Sequence, residues 1–307
     1  MKIIKKIFSF KKSKDIILNK IVDREYFFEN YKIMLDENHV LDEYQNSFPL
    51  YDRFLPILCS DFEGLIIDVG ANIGDTAIAI FSKNFKSFIV GVEADEDFYE
   101  KCIKNVFCNR LTDRFLGVNK FLSTKSGKYS LEKSDTLSTG SIAVDSNLSG
   151  EMNTISFSEL MNFIPITKRN KFDILKIDTD GYDWDIINSF TDYAKKNMII
   201  PRFVFFEMQT YLNNQGFNDR NRNEITQNYK SALEELNMVG YDNFCLIDNF
   251  GTPIKITKSI GEIFELNDYI KRSQVYNLHS TIYYMDILAF SDNEIEFVNK
   301  KISNLYK

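Results

Sequence analysis

LIIDVGANIGDT, residues 65–76, combines an apolar strand, a glycine turn and the start of a helix. Leu65, Ile66, Ile67 and Val69 form the short apolar run expected of a strand buried on both faces of a parallel sheet, and Asp68 sits at its carboxyl end. Gly70 and Gly74 bracket a tight turn, and Thr76 to Ile80 continue as a helix. Such a turn gathers backbone N–H groups and a helix N-terminus where an anionic ligand group can sit. A dinucleotide fingerprint is G-x-G-x-x-G. Here Gly70-Ala71-Asn72-Ile73-Gly74-Asp75 puts Asn72 in place of the second glycine and Asp75 in place of the third. A pyrophosphate would meet the Asp75 carboxylate, whereas a ligand with an ammonium group beside its carboxylate tolerates it. An amino-acid-bearing cofactor is therefore favoured, with an ordinary tight turn of an α/β domain as the plainer alternative.

The pattern continues downstream. Ser87 to Val92 reads as a second strand, closed by Glu93, which lies 25 residues after Asp68. An acid at that strand end is placed to accept hydrogen bonds from both ribose hydroxyls. Asp95 caps a helix with Phe98, Cys102 and Val106 on one face. Phe115 to Leu122 reads as a third strand, and residues 123–155 as a polar insertion near the ligand. Thr154 to Met161 reads as a strand end leading into a short helix, capped by Ser156 or Ser158. In FDILKIDTDGYDWD, residues 172–185, Ile174, Leu175 and Ile177 make a fourth strand, with Asp178 and Asp180 at its end and Gly181 turning the chain. Phe203 to Phe206 is a fifth strand ending in Glu207. Asp68, the Asp178/Asp180 pair and Glu207 thus reach one sheet edge, where open parallel sheets bind ligands.

The remaining elements complete one domain. Asn221 to Met238 has helical spacing and is stopped by Gly240. Asn243 to Ile247 and Thr281 to Phe290 read as two further strands, separated by a polar connection that holds Asp248, Asn249 and Gly251. Ser291 to Glu294 reads as a capping box before a closing helix. Leu50 to Leu58 predicts a helix before the first strand, started by Pro49. Residues 1–47 are expected to form a helical, basic lead-in, and residues 48–307 the domain itself.

Composition narrows the function. Of 307 residues, 44% are hydrophobic and 26% charged, as in a globular protein with a sizeable core, and no run is long enough to span a membrane. The net charge of −7 argues against nucleic acid as a partner. Cys59, Cys102, Cys108 and Cys245 form no C-x-x-C pair and read as thiols of a reducing, cytoplasmic compartment. The only histidines, His39 and His279, argue against a multi-histidine metal site. Seven lysines and one acid occupy the first 20 residues. That segment reads as a solvated terminus, with weak contact to an anionic inner-membrane surface as the alternative. Oligomeric state is not readable.

DVGANIGDT at 68–76, VEADEDFYEKCIKNV at 92–106, FDILKIDTDG at 172–181 and FVFFE at 203–207 together resemble the FkbM family of S-adenosylmethionine-dependent methyltransferases. DNFG at 248–251 and YYMDILAF at 283–290 resemble the tail of such proteins. The resemblance implies a class I, Rossmann-like α/β fold. Its sheet would have seven mostly parallel strands with the last antiparallel, and helices on both faces. It also implies O-methylation, often of a sugar or other metabolite hydroxyl. Where the family pattern has Glu, this chain has Asp180.

Residue by residue, the backbone at Gly70, Ala71, Asn72 and Gly74 would take the methionine end of the cofactor. Asp68 or Asp75 would meet its ammonium group, and Glu93 with Ala94 the ribose. Asn119 and Leu122 would lie near the adenine. Tyr182 and Trp184 offer aromatic faces to a sulfonium, with core packing as the alternative. A sugar hydroxyl gains from a general base, for which Asp178, Asp180 and Glu207 are the candidates and His279 a weaker one. No metal is required, and a divalent cation on these acids is the less favoured reading. The partner expected is a small-molecule or glycan acceptor. Two other functions compete: a metal-dependent glycosyltransferase using Asp178 and Asp180 as a D-x-D pair, and a catalytically silent scaffold of the same fold.

Overall fold

A computed structural model describes residues 24–36, 39–124, 130–133, 140–143, 154–179, 181–210, 219–275 and 282–307. The lysine-rich first 20 residues, Asp180 and His279 lie outside them. Its strands are β1 Arg24–Phe28, β2 Tyr31–Leu35, β3 Leu65–Val69, β4 Phe88–Glu93, β5 Phe115–Asn119, β6 Phe121–Leu122, β7 Ser130–Lys133, β8 Gly140–Ala143, β9 Thr154–Ile155, β10 Phe172–Ile177, β11 Phe203–Met208, β12 Asn243–Asp248, β13 Pro253–Thr257 and β14 Met285–Phe290. Its helices are α1 Leu41–Ser47, α2 Phe54–Cys59, α3 Asp75–Lys83, α4 Glu96–Cys108, α5 Phe157–Phe163, α6 Ile166–Arg169, α7 Asp183–Asn197, α8 Asp219–Met238, α9 Ile260–Val275 and α10 Ile295–Leu305. Among the described residues, no helix is long and apolar enough to cross a membrane.

The central sheet runs β13-β12-β14-β11-β10-β3-β4-β5. Strands β5, β4, β3, β10 and β11 pair in parallel, and β14 runs antiparallel to both β11 and β12. Every residue of β3, β10 and β11 is buried, which is why these strands read as continuous apolar runs. Alternate residues feed two separate core layers. Leu65, Ile67, Leu175, Ile177, Val204 and Phe206 enter one layer, while Ile66, Ile174, Phe203 and Phe205 enter the other. After β3 the chain builds outward through β4 and β5. It then returns to the other side of β3 through β10 and β11. Strand order therefore reverses between β3 and β10, and the crevice beyond their carboxyl ends is where such sheets bind ligands.

The expected seven strands and antiparallel final strand are present, with an eighth, β13, on the edge. The polar connection before β14 holds a strand, β13, and a helix, α9. Pro253 opens β13 at the edge, the one place where a strand tolerates a residue with no N–H.

Other expectations need correction. Residues 24–35 form a hairpin, not a helix: Phe28, Ile33 and Leu35 are buried at alternate positions, and Glu29 turns the chain at φ +53°. The helix expected from Leu50 starts only at Phe54, because Asp52 at φ +53° holds the preceding residues in turns. Ser291 makes no side-chain cap. Glu294 instead bonds Arg202 through both carboxylate oxygens, at 2.9 and 2.8 Å. Ser156 does form a capping box, with Glu159.

The hairpin is tied on by amides. Asn109 Oδ1 accepts from Lys32 N–H at 2.8 Å, and Asn105 Oδ1 accepts from Met34 N–H at 2.9 Å. Asn105 Nδ2 also donates to Ile73 O, 2.9 Å away in the glycine turn. One side chain of α4 thus holds both the hairpin and the turn.

Candidate active site

The glycine turn is fixed by close approach. Gly70 has φ +76°, and a Cβ there would lie 1.8 Å from Asp178 O. Gly74 has φ +86°, and a Cβ there would lie 2.9 Å from Cys102 Sγ. Asn72 occupies the left-handed region at φ +48°, a conformation Asn tolerates better than most residues. Gly70 N–H and Ala71 N–H donate to Val92 O at 2.9 and 3.0 Å. The first helical bond of α3 is Ile78 N–H to Gly74 O at 2.9 Å, so the N–H groups of Asp75, Thr76 and Ala77 precede the helical ladder.

Glu93 joins two strand ends. Its Oε2 accepts from Asn72 N–H at 2.7 Å and its Oε1 from Asp95 N–H at 2.8 Å. Enclosure of the carboxyl raises it to about 7, against the opposing pull of those two N–H groups. Each oxygen keeps a further lone pair for a ligand hydroxyl. Asn119 does not line the cleft: its Nδ2 donates to Glu93 O at 2.9 Å and Ala94 O at 3.3 Å, bracing the end of β4. Phe121 and Leu122 reach the cleft instead.

Beneath the turn lies an ion pair that sequence reasoning missed. Lys176 and Asp68 are register partners on β10 and β3, and both are buried. Lys176 Nζ stands 2.9 Å from Asp68 Oδ1 and 3.4 Å from Asp178 Oδ2, and donates to Gly70 O at 3.1 Å. Burial alone would lower the Lys176 ammonium, but Asp68 and Asp178 outweigh it and hold it protonated. For Asp68 burial outweighs Lys176, and its carboxyl is raised. Asp68 Oδ2 makes no hydrogen bond to any described residue. Asp68 thus supports the wall from beneath and is not part of it. The sequence shows the two charges, Asp68 in LIIDV and Lys176 in FDILKI, which also holds Asp173, but not that Asp68 and Lys176 are the pair.

A cavity of about 380 Å³ fills the crevice, within the range of about 300–1,000 Å³ usual for small-molecule sites. One half is lined by Gly70, Asn72, Asp75, Glu93, Phe121 and Leu122. The other is lined by Tyr51, Asp52, Glu207, Asn249, Tyr284 and Asp286, with Asp178 between the halves. Phe48 packs on Phe250 at 4.2 Å and ties the loop carrying Tyr51 and Asp52 to the chain after β12, while Tyr44 on α1 packs on Tyr51 at 5.2 Å.

Asp183, also missed, ties Asp178's neighbour to β11. Its Oδ2 accepts from Thr179 Oγ1 at 2.8 Å and its Oδ1 from Glu207 N–H at 3.1 Å. Tyr182 and Trp184 do not line the cavity. Tyr182 packs on Phe121 at 5.5 Å and on Trp184 at 5.5 Å, which is the packing alternative. Among the described residues no group of three or more His, Cys, Asp or Glu could hold a metal ion.

These residues fit S-adenosylmethionine. Glu93 would hold the ribose, and Phe121 and Leu122 the adenine. Asp75 and the first turn of α3 would face the ammonium and carboxylate ends of the methionine. The acids around the cavity suit a ligand whose net charge is positive.

Residues 68–242, more than half of the chain, match the methyltransferase FkbM domain. No curated protein sequence matches. Three solved structures illustrate the wider likeness. An O-methyltransferase from Bacillus cereus in complex with SAH shares 13% identity, covers 82% of this chain and 89% of its own, and has a TM-score of 0.41. A precorrin-6y C5,15-methyltransferase from Geobacter metallireducens shares 10%, with 78% and 86% covered and a TM-score of 0.39. The METTL16 MTase domain shares 10%, and 78% of this chain aligns with 65% of that one at a TM-score of 0.40. These three likenesses are distant, and the family rests on the domain match.

Proposed function

The chain belongs to the FkbM-domain family of methyltransferases, and from that premise we propose that it methylates a hydroxyl group of a sugar, glycan precursor or related metabolite. It is an S-adenosylmethionine-dependent methyltransferase. The cofactor supplies an electrophilic methyl group on a positively charged sulfur. The protein's task is to align an acceptor oxygen with that methyl and to receive the acceptor's proton.

The observation that carries the hydroxyl reading is the chemistry of the acceptor half of the cavity. Tyr51, Asp52, Glu207, Asn249, Tyr284 and Asp286 face it together. All six can accept hydrogen bonds, so they suit a ligand that presents several O–H donors. Lys176, the buried cation at its floor, is already held by Asp68, Asp178 and Gly70 O. Acceptors bearing phosphate or carboxylate groups would meet Asp52, Glu207 and Asp286 on this side of the cavity, so a neutral polyhydroxylated acceptor fits better.

Calorimetric titration with S-adenosylmethionine comes first, beside NAD and a nucleotide sugar with manganese. Methyl transfer from labelled cofactor to a panel of neutral glycosides, sugar phosphates and uronic acids follows. An O-methyl product from the neutral set supports the reading. Transfer confined to nitrogen or carbon acceptors overturns it.

A further inference from the structure

We infer that Asp286 takes the proton from the acceptor hydroxyl, with Glu207 as its cross-strand neighbour. The inference rests on the methyl-transfer reading above and names a residue that the strand-end pattern did not point to.

Several carboxylates around the cavity already have structural work. Asp68 is paired with Lys176, and Asp178 lies 3.4 Å from the same ammonium. Glu93 holds two backbone N–H groups, and Asp95 caps α4. Asp183 spans Thr179 and Glu207. Asp75 opens α3 beside the glycine turn, at the cofactor end. Asp286 makes no hydrogen bond or ion pair to another described residue, yet it lines the acceptor half. Asp52 lines that half too, but from a loop outside the sheet. Asp286 sits on β14, between β11 and β12, where backbone pairing on both sides fixes its position.

Register supplies the neighbour. Asp286 is opposite Glu207 on β11 and Ile247 on β12. Met285 and Ile287 enter one core layer and Leu288 the other, so Asp286 points to the face that carries Phe203 and Phe205. Glu207 points to the same face, two residues beyond Phe205. Directly opposed residues place their Cβ atoms about 4.5–5.5 Å apart. Two carboxylates held so close resist simultaneous ionisation. Burial is the largest influence against the ionised form of Asp286; the other groups facing it are Asp178, Asp52 and Asp183, which also disfavour that form, and Lys176, which favours it. The phenols of Tyr51 and Tyr284 complete the surroundings. A carboxylate in this setting is more basic than an exposed one, as a group that receives an alcohol's proton must be.

The step balances. The acceptor oxygen forms a bond to the methyl carbon, and the methyl–sulfur bond breaks with its electron pair left on sulfur. The acceptor O–H bond breaks, and the proton ends on an oxygen of Asp286.

The test uses the full chain saturated with S-adenosylhomocysteine. Carboxyl-carbon NMR over a pH series should show the Asp286 carboxyl titrating well above the ordinary carboxylate range, beside Asp52 and Asp183, which burial raises to about 7. That titration should vanish in Asp286→Asn and move down in Glu207→Gln. In turnover, Asp286→Asn should lose about 100-fold or more in kcat, keep the wild-type Kd for S-adenosylhomocysteine, and flatten the acidic limb of the pH–rate profile. Asp286→Glu should restore part of the rate. Wild-type kcat in Asp286→Asn, or an Asp286 that titrates in the ordinary range, overturns the inference while cofactor binding stands. Failure of the wild-type chain to bind S-adenosylhomocysteine overturns the parent reading and this one with it.

Discussion

Glu93 shows how one side chain couples pH to both stability and ligand binding. Its carboxyl is raised to about 7 in the folded chain, from about 4.3 when unfolded. Between those values the folded state holds a proton that the unfolded state has lost. The Glu93 contribution to stability is therefore full below about pH 4.3 and declines as pH rises towards 7. Cofactor binding has the opposite sign, because ribose hydroxyls donate best to the ionised carboxylate. Calorimetry should show S-adenosylhomocysteine affinity rising with pH through about 7, and Glu93→Gln should abolish that rise. Glu93→Ala should weaken S-adenosylmethionine and its demethylated product alike. Wild-type affinity in Glu93→Ala would remove Glu93 from the ribose site. The buried Lys176 ammonium predicts a different outcome. Lys176→Met strands Asp68 without its counter-charge and should cost about 3–5 kcal/mol in denaturant unfolding. Adding Asp68→Asn should recover part of that loss. Acids at strand ends were legible in the sequence because the fold sends strand ends to ligands. Lys176 was not, because a mid-strand lysine acquires meaning only once β10 lies in register with β3.

Elements whose burial is continuous were the easiest to read. LIIDV and FDILKI have no exposed face, so their apolar runs admit few alternatives. The hairpin of β1 and β2 was harder, because its packed face alternates with charged residues and its anchors lie far along the chain. Asn105 on α4 and Asn109 just after it give nothing away at their own positions. Their role appears only when Met34 and Lys32 present strand N–H groups to them. Asn105→Ala would leave Met34 N–H and Ile73 O without that amide. A loss of about 1–3 kcal/mol is expected, read by denaturant titration. Because Ile73 belongs to the glycine turn, the same variant should bind S-adenosylhomocysteine more weakly. Unchanged binding would show that the turn keeps its shape without the hairpin. β13 and α9 were missed for another reason. Their stretch is polar enough to pass for a loop, and β13 is half-exposed along most of its length.

Across the whole molecule, the cavity divides by origin. Its cofactor half comes from the stretch matching the family, residues 68–242. Much of its acceptor half comes from either side of that stretch: Tyr51 and Asp52 precede it, and Asn249, Tyr284 and Asp286 follow it. The matched domain therefore holds the half that binds the cofactor and leaves much of the acceptor wall outside its bounds. Substitution in the flanking wall should separate the two functions. Tyr284→Phe should leave the Kd for S-adenosylhomocysteine within about twofold and raise the acceptor KM, measured by calorimetry and steady-state assay. The same division has a consequence for assembly in time. Among the described strands β1 and β2 leave the ribosome before the others, yet the amides that hold them lie 77 and 71 residues downstream. A lone two-stranded hairpin is marginal in water, so it has nothing to dock on until α4 has been made and has folded. The wall that would grip the acceptor is thus begun first and completed late, after the chain that binds the cofactor has supplied its scaffold.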